Sequence, residues 1–176
     1  MYGDINPNNV LVFRNDSNAA TFIARVTGFG HSSRLVNEDE YIMLPRSSPW
    51  SAPELHFRCK PAQARKMEVF SYGMLCLWVM FEEYLSAKAI LPQEALWAEQ
   101  YFQNKGERVD CLNVLQELKN EDKLALLARQ LVTTEQDLDD SKKQALQEFF
   151  SASLRCRPDE RAADLKQAFI FLAPDQ

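Results

Sequence analysis

Apolar residues recur at helical spacing through much of the chain. The strongest such pattern is at Val69, Tyr72 and Cys76, which lie three or four positions apart, and apolar residues fill most of the gaps between them. A helix with apolar residues all around its axis is stable only when it is buried. The pattern therefore predicts a central helix from about Glu68 to Phe81 that is buried on nearly all sides.

Proline, capping residues and leucine spacing predict further helices along the chain. These are a helix over 93–103, one or two helices within 109–131 that are broken near Asn120, a helix over 141–154 and a last helix over 159–172. Ser141 and Asp159 are the predicted N-caps of the last two, because short polar side chains satisfy the free N–H groups of a first turn.

Two short runs of β-branched and aromatic residues predict a β-hairpin near the start of the chain. They are Val10–Phe13 and Thr21–Val26, and Asn15–Asn18 between them has turn chemistry. The segment 28–53 is rich in Gly, Ser and Pro and is predicted to be a long loop. The fold class that follows is mainly α, with a short β-hairpin followed by a helical bundle around one buried central helix.

Composition and charge narrow the class of protein. The chain has 176 residues, of which 46% are apolar and 26% are charged, which is typical of one compact domain over 1–176. The formal net charge is −5 and no run of Lys and Arg forms a basic patch. Nucleic-acid binding needs a basic face that neutralises phosphates, so we expect no nucleic-acid partner.

The length of the most apolar stretch and the spacing of the cysteines bear on membrane contact and on the cellular location of the chain. The most apolar stretch, Val69–Phe81, is shorter than the about 20 residues that span a bilayer, so we expect no membrane partner. The cysteines are Cys59, Cys76, Cys111 and Cys156. They are far apart and form no C-x-x-C pair, which argues against a zinc site and favours a reduced, cytoplasmic location.

One polar segment near the start of the chain carries candidate chemistry. Residues 2–11 read Tyr-Gly-Asp-Ile-Asn-Pro-Asn-Asn-Val-Leu, which resembles the catalytic loop H-R-D-L-K-P-x-N-[IV]-L of eukaryotic protein kinases. In that family the Asp orients the attacking hydroxyl and accepts its proton, and the Asn holds a magnesium ion. The resemblance implies that Asp4 is the catalytic residue and that Asn9 is the cofactor-binding residue and metal ligand.

Four further segments resemble kinase motifs in the order in which the family has them. They are 28–30 (D-F-G), 52–54 (A-P-E), 68–73 (D-V-[WY]-S-[FY]-G) and 157–161 (D-P-x-x-R). The resemblance implies structural roles for Phe29 and for Glu68, which could reach the catalytic-loop backbone. It also implies a buried ion pair between Glu54 and Arg161 that ties the loop to the last helices.

The resemblance divides the chain into parts of one protein-kinase-like C-terminal lobe. These parts are a catalytic-loop-like segment and hairpin over 1–30, an activation-segment-like loop over 31–60 and a helical part over 61–172. A kinase packs an earlier helix of this lobe beside the central helix, and the chain starts too late to contain it. Unless the leucines of 109–131 pack there as a substitute, we expect Val69, Met80, Leu11 and Phe13 to be partly uncovered.

Departures from the family pattern bear on activity. The D-F-G Asp is Gly28, the catalytic-loop Lys is Asn6 and the catalytic-loop Arg is Gly3. Magnesium carries much of the charge that stabilises phosphoryl transfer, and Gly28 has no side chain to bind it. We therefore expect a catalytically inactive, kinase-like fragment that needs no cofactor and acts by binding a protein.

Two other interpretations stay open at this point. One is a serine/threonine protein kinase that transfers the γ-phosphoryl group of ATP to a protein hydroxyl, with ATP and magnesium as cofactors and with the N-terminal lobe missing from this chain. The other is a helical interaction domain unrelated to kinases. In the kinase, Asp4 and Asn9 take part in the transfer of phosphate from ATP, and in the unrelated domain they do not. A measurement of kinase activity distinguishes the two.

Overall fold

A tight turn and a two-stranded antiparallel sheet open the chain. The computed structural model describes residues 1–15, 18–34, 37–55, 58–103 and 110–172. Strand β1 (Val10–Asn15) pairs with strand β2 (Asn18–Val26) in a register that joins Val10 to Val26 and Phe13 to Ile23. The predicted hairpin is confirmed, and both strands are longer than predicted. Two of its predicted turn residues, 16 and 17, lie outside the described residues.

A 3-10 turn at Phe29–His31 follows the hairpin, and the segment after it is a long loop, as predicted. Its described residues between 32 and 60 form neither an α-helix nor a paired strand, apart from one isolated bridge between Ile42 and Cys59. In this bridge each residue donates its N–H to the carbonyl of the other, at 2.9 and 3.0 Å. The bridge fixes the middle of the loop beside the start of the first helix.

The central helix, α1, spans Pro61–Leu85 and is longer at both ends than predicted. Pro61 occupies the first turn, where the missing N–H of proline costs nothing. The backbone N–H of Lys60 is satisfied by the side chain of Gln63 at 3.0 Å. Phe81 has non-helical dihedral angles, so the helix is kinked one turn before its end.

The prediction that α1 is buried on nearly all sides is wrong at its C-terminal end. Leu77 and Phe81 are buried, but Val79 is 69% exposed and Met80 is 40% exposed. Of the four residues expected to be partly uncovered, Met80, Leu11 and Phe13 are exposed, but Val69 is fully buried. Apolar spacing predicts a helix, but it does not predict which of its faces the neighbouring elements cover.

Five shorter helices and two 3-10 turns complete the described part of the fold. They are a 3-10 turn at Gln93–Ala98, α2 (Glu99–Gln103), α3 (Cys111–Asn120), α4 (Leu124–Thr134), α5 (Asp140–Ser153), a 3-10 turn at Pro158–Glu160 and α6 (Leu165–Ile170). The predicted break near Asn120 is confirmed. The segment predicted as one helix over 93–103 is instead a 3-10 turn that continues into α2.

Both predicted N-caps of the last two helices are wrong. Asp139, not Ser141, caps α5 by accepting a hydrogen bond from the N–H of Lys142 at 2.9 Å. Asp164 caps α6 by accepting a hydrogen bond from the N–H of Gln167 at 2.9 Å. Asp159 lies instead within the 3-10 turn Pro158–Glu160. In each case another aspartate lies at the start of the helix, and sequence alone does not rank neighbouring candidates.

The core lies between α1 and the helices α3, α4 and α5. Side chains from all four elements are fully buried in one contiguous cluster, among them Phe70, Leu77, Leu118, Leu127 and Phe149. Helices α4 and α5 pack against each other, and α5 and α6 both contact α1. The described part is therefore mainly α, with a hairpin at one edge and helices around α1.

Candidate functional site

The candidate site is built on the first nine residues, which a carboxylate of α1 holds in place. The Oε1 atom of Glu68 accepts hydrogen bonds from the backbone N–H groups of Tyr2, at 2.7 Å, and Gly3, at 3.0 Å. Hydrogen bonds to a charged acceptor are stronger than neutral ones. Glu68 therefore reaches the backbone of the catalytic-loop-like segment, as its sequence position implies.

The carboxylate of Asp4 lies at the centre of this segment and is surrounded by neutral donors. Its Oδ1 atom accepts hydrogen bonds from the Asn6 amide at 3.0 Å and from the Ser47 hydroxyl at 2.6 Å. Its Oδ2 atom accepts one from the Asn9 amide at 2.9 Å. These contacts fix the orientation of the carboxylate without adding a positive charge beside it.

Asn6, which replaces the lysine of the kinase pattern, is a buried structural residue. Its Oδ1 accepts a hydrogen bond from the N–H of Asn8 at 3.0 Å and so caps the 3-10 turn Pro7–Asn9. Its amide nitrogen donates to Asp4. Asn6 thus shapes the loop and supplies a hydrogen bond, but it brings no charge to neutralise a phosphate.

Asn9 and Gly28 lie against each other at the other side of Asp4. A Cβ at residue 28 would be 2.6 Å from Oδ1 of Asn9, a contact that side chains essentially never make. The Asn9 amide is held by bonds of 2.9 Å from its Nδ2 to both the carbonyl and Oδ2 of Asp4. Gly28 also has a φ of +74°, which favours glycine.

This geometry limits how a metal could be held here. Asn9 offers one neutral oxygen, and Gly28 offers no side chain at all. Magnesium prefers charged carboxylate oxygens and phosphates as partners. Across the described ranges, no group of three or more His, Cys, Asp or Glu residues is arranged to bind a metal ion.

Gly3 also has a backbone that disfavours the residue expected from the kinase pattern. Its φ is +93°, and a Cβ there would be 2.8 Å from the carbonyl oxygen of His31. An arginine at this position would need the loop to move. The backbone at residue 3 therefore suits glycine and leaves no room for a side chain as the loop stands.

Phe29 lies at the surface, where its ring is 64% exposed. Its edge meets the ring of Tyr2 with centroids 5.6 Å apart, and the Tyr2 hydroxyl donates to the carbonyl of Thr27. Burial, and secondarily the nearby charge of Asp4, raises the pKa of Tyr2. A mainly apolar cavity of about 350 Å³ lies between this aromatic pair and α1.

Glu54 and Arg161 form the ion pair that the sequence predicts. Nη2 of Arg161 is 2.5 Å from Oε2 of Glu54, and the arginine side chain is fully buried. Neither Glu54 oxygen receives a well-aligned hydrogen bond from the described residues, so the contact is a close ion pair. The guanidinium also donates to the carbonyls of Lys66, at 2.9 Å, and Cys156, and it lies over the ring of Phe70.

Two residues near the site were not singled out by the sequence. Ser47 is one of five serines in the segment 28–53, and it is its hydrogen bond to Asp4 that distinguishes it. Lys119 follows Leu118 at the end of α3 and would usually be solvated, yet it is buried. Neither position carries a local pattern, because both contacts join parts of the chain that are distant in sequence.

Comparisons with protein-family models, with curated proteins and with solved structures gave no match to this chain. The resemblance to protein kinases therefore rests on the motifs and on the contacts described above. In the part of the chain that the structure describes, no helix has both the length and the apolar content that crossing a bilayer requires.

Proposed function

We propose that this chain is a protein-kinase-like C-terminal lobe that does not transfer phosphate and that acts by binding a protein. The kinase-like part of the proposal is supported by two long-range contacts that join separate motifs. Glu68 of α1 binds the backbone of the catalytic-loop-like segment. Arg161 pairs with Glu54 of the long loop, and each contact joins two segments that resemble separate kinase motifs.

The glycine at residue 28, beside Asn9, is the observation that carries the proposed inactivity. It offers no side chain to bind a metal ion, and a larger residue there would require Asn9 to move, because Oδ1 of Asn9 lies 2.6 Å from where a Cβ would stand. Phosphoryl transfer depends on metal ions and cationic side chains that stabilise the transferred group. With Asn6 in place of the lysine as well, the site offers the reaction one oriented carboxylate, that of Asp4, and little else.

The proposed binding role is supported by the exposed apolar side chains of the hairpin. Val12, Phe22 and Val26 are exposed, with Phe22 at 64%. A two-stranded hairpin alone is at best marginally stable in water, and clustered exposed apolar side chains are typical of interaction sites. We propose that these strands form the protein-binding surface.

A serine/threonine kinase is the alternative, and one observation favours it. The Asp4 carboxylate is oriented by three hydrogen bonds and lies beside the long loop through Ser47. A general base must be held within hydrogen-bond reach of the hydroxyl that it deprotonates. Asp4 would have this role if ATP and magnesium bound in spite of Gly28.

An activity measurement separates the two functions. The chain is incubated with labelled ATP, magnesium and a generic protein substrate, with Asp4→Ala as the matched control. We expect no incorporation above the control. Incorporation that disappears in Asp4→Ala would instead establish the kinase.

A second measurement tests the binding role. The chain and a Phe22→Ser variant are immobilised separately and exposed to the same cell lysate. The proteins that each of them retains are then compared. The substitution is on the exposed surface, so folding should be unchanged. A protein retained by both to the same extent would argue against the hairpin as the binding surface.

We also propose a cytoplasmic location. All four cysteines are free, and Cys59 and Cys76 lie within the packed part of the fold. Free cysteines are typical of reducing compartments. Targeting of a fluorescent fusion to an oxidising compartment would contradict this location.

A further inference from the structure

A polar pocket lies between the long loop and the end of α3, and Asp4 is not among the residues that line it. It has a volume of about 380 Å³, and its polar lining consists of Arg46, Ser48, Ser51, Gln116, Lys119 and Asn120. Two of these residues are cationic. None of the described residues that line the pocket is acidic, although the chain as a whole has a formal charge of −5.

Lys119 is the buried cation of this pocket. It is only 4% exposed, and its ammonium donates to the carbonyls of Pro49, at 2.7 Å, and Ser51, at 3.0 Å. An ammonium has three N–H donors, so one remains after these two bonds. Among the described residues, no carboxylate forms an ion pair with it, and Glu54, whose charge acts on Lys119, is paired with Arg161 and lies outside the pocket lining.

Arg46 is the second cation and lies at the exposed rim. In the described part of the structure it forms neither an ion pair nor a side-chain hydrogen bond. It is close enough to Lys119 that its charge, together with burial, lowers the pKa of that lysine. Two like charges beside one cavity repel each other, and an anion between them would replace this repulsion by attraction.

Neutral donors complete the lining. The Ser51 hydroxyl oxygen accepts a hydrogen bond from the N–H of Ser47 at 2.7 Å, which leaves its own proton available. The Asn120 carbonyl accepts from Gln116 at 2.9 Å, which leaves the Asn120 amide protons available. The pocket thus presents two positive charges and two unused neutral donors to whatever occupies it.

We propose that this pocket binds a phosphate monoester, with Arg46 and Lys119 as its cationic ligands and Ser51 and Asn120 as neutral donors. A phosphate monoester carries about −1.5 to −2 charge at neutral pH and three acceptor oxygens, which matches two cations better than a singly charged carboxylate does. The pocket is also large enough for the short carrier of a phosphoserine as well as its phosphate. This inference is independent of the proposed function, since it involves neither Asp4 nor ATP.

A purely structural role would explain Lys119 but not the rest of the pocket. The two bonds from Lys119 hold residues 49–51 of the loop against α3. They give no reason for an unpaired Arg46 at the rim or for unused donors on Ser51 and Asn120. Arg46 therefore discriminates between a binding site and a structural clamp.

The test is an NMR titration of the full chain at constant ionic strength and pH 7.5. The probes are O-phosphoserine, inorganic phosphate and N-acetylaspartate. We expect saturable shifts of the backbone amides of Ser48, Ser51 and Gln116 with phosphoserine. Arg46→Gln should weaken this binding by about tenfold or more, because it removes a charge-assisted contact. The matched control is Arg58→Gln, an exposed arginine outside the pocket, which should bind as the native chain does.

Each outcome has a defined meaning. Tighter binding of phosphoserine than of inorganic phosphate supports a monoester site, and the reverse order overturns it. Equal binding of N-acetylaspartate, no saturable shift, or unchanged binding by Arg46→Gln would also overturn it. Lys119→Met could disturb the loop, so its phosphoserine binding is compared only if its melting curve shows a folded chain. The binding of Arg46→Gln decides the outcome.

Discussion

Oδ1 of Asn9 lies 2.6 Å from the point where a Cβ on Gly28 would stand. The two residues come from different sides of the hairpin and are brought together because Asn9 turns its amide toward Asp4. A side chain at residue 28 would therefore meet the amide of Asn9 and would require that amide to move away from its hydrogen bonds to Asp4.

A side chain at residue 28 should therefore destabilise the chain. We expect Gly28→Ala to lower the free energy of unfolding by about 1–3 kcal/mol, because of the positive φ and the contact with Asn9. The measurement is denaturant unfolding. In the double variant with Asn9→Ala the contact is gone, so the loss should be smaller than the sum of the two single losses. Simple additivity would show that Asn9 and Gly28 are not coupled.

Arg161 should be important for stability because it is a buried charge with one carboxylate partner. We expect Arg161→Ala to lower the free energy of unfolding by about 3–5 kcal/mol, since Glu54 would be left uncompensated. Arg157→Ala is the control, because that arginine is exposed, and it should change stability little. Equal losses in the two variants would contradict a buried pair.

A double variant separates the charge from the packing. Replacing both partners, as in Glu54→Leu with Arg161→Met, removes the charges while keeping volume. Replacing a buried pair by apolar residues of similar volume is often neutral. We therefore expect the double variant to be more stable than Arg161→Ala.

Two neighbouring residues of α1 give a test of which face is packed. Leu77 is fully buried and Val79 is 69% exposed. Leu77→Ala should lower the free energy of unfolding by about 2–5 kcal/mol, because it leaves a cavity. Val79→Ala should change it by about 0.5 kcal/mol or less. Thermal or urea unfolding of both variants decides, and comparable losses would mean that another surface covers Val79 in solution.

The sequence predicted elements and long-range pairs better than it predicted surfaces. Apolar spacing placed the hairpin and α1, and the motif positions of Glu54 and Arg161 predicted their ion pair. The exposure of Val79 could not be predicted, because spacing reports a helix and not its neighbours. Which of several nearby polar residues caps a helix was also beyond the pattern, as Asp139 in place of Ser141 shows.

The sequence named several of the residues that meet around Asp4, but it did not indicate the hydrogen bonds between them. The motif identified Asp4 and Asn9 as candidates, and Glu68 was expected to reach the loop backbone. Asn9 donates to Asp4 and lies close to residue 28. This arrangement depends on the backbone of Gly28, whose φ of +74° no sequence pattern predicts. The burial of Lys119 depends on where the long loop folds, and loop paths are set by tertiary contacts.

The last prediction concerns the pH dependence that buried Lys119 gives to stability. The pKa of Lys119 is lowered from 10.5 to about 8, mainly by burial. The charge of Arg46 adds to this shift, and Cys156 and Glu54 oppose it. Between these values the unfolded chain binds more protons than the folded chain does, so stability contributed by this group rises with pH. Below about pH 8 both states are protonated, and the burial of the charge weakens the fold by its full amount.

The measurement compares the native chain with Lys119→Met. The variant also loses the bonds to Pro49 and Ser51, but that loss does not depend on pH in this range. The window is about pH 8 to 9, because Cys156, whose pKa is raised from 9.0 to about 12, makes both proteins less stable at higher pH. We expect the free energy of unfolding of the native chain, relative to the variant, to increase from pH 8 to 9. A flat or falling difference would mean that Lys119 keeps its ordinary pKa and that solvent or an anion already reaches its ammonium.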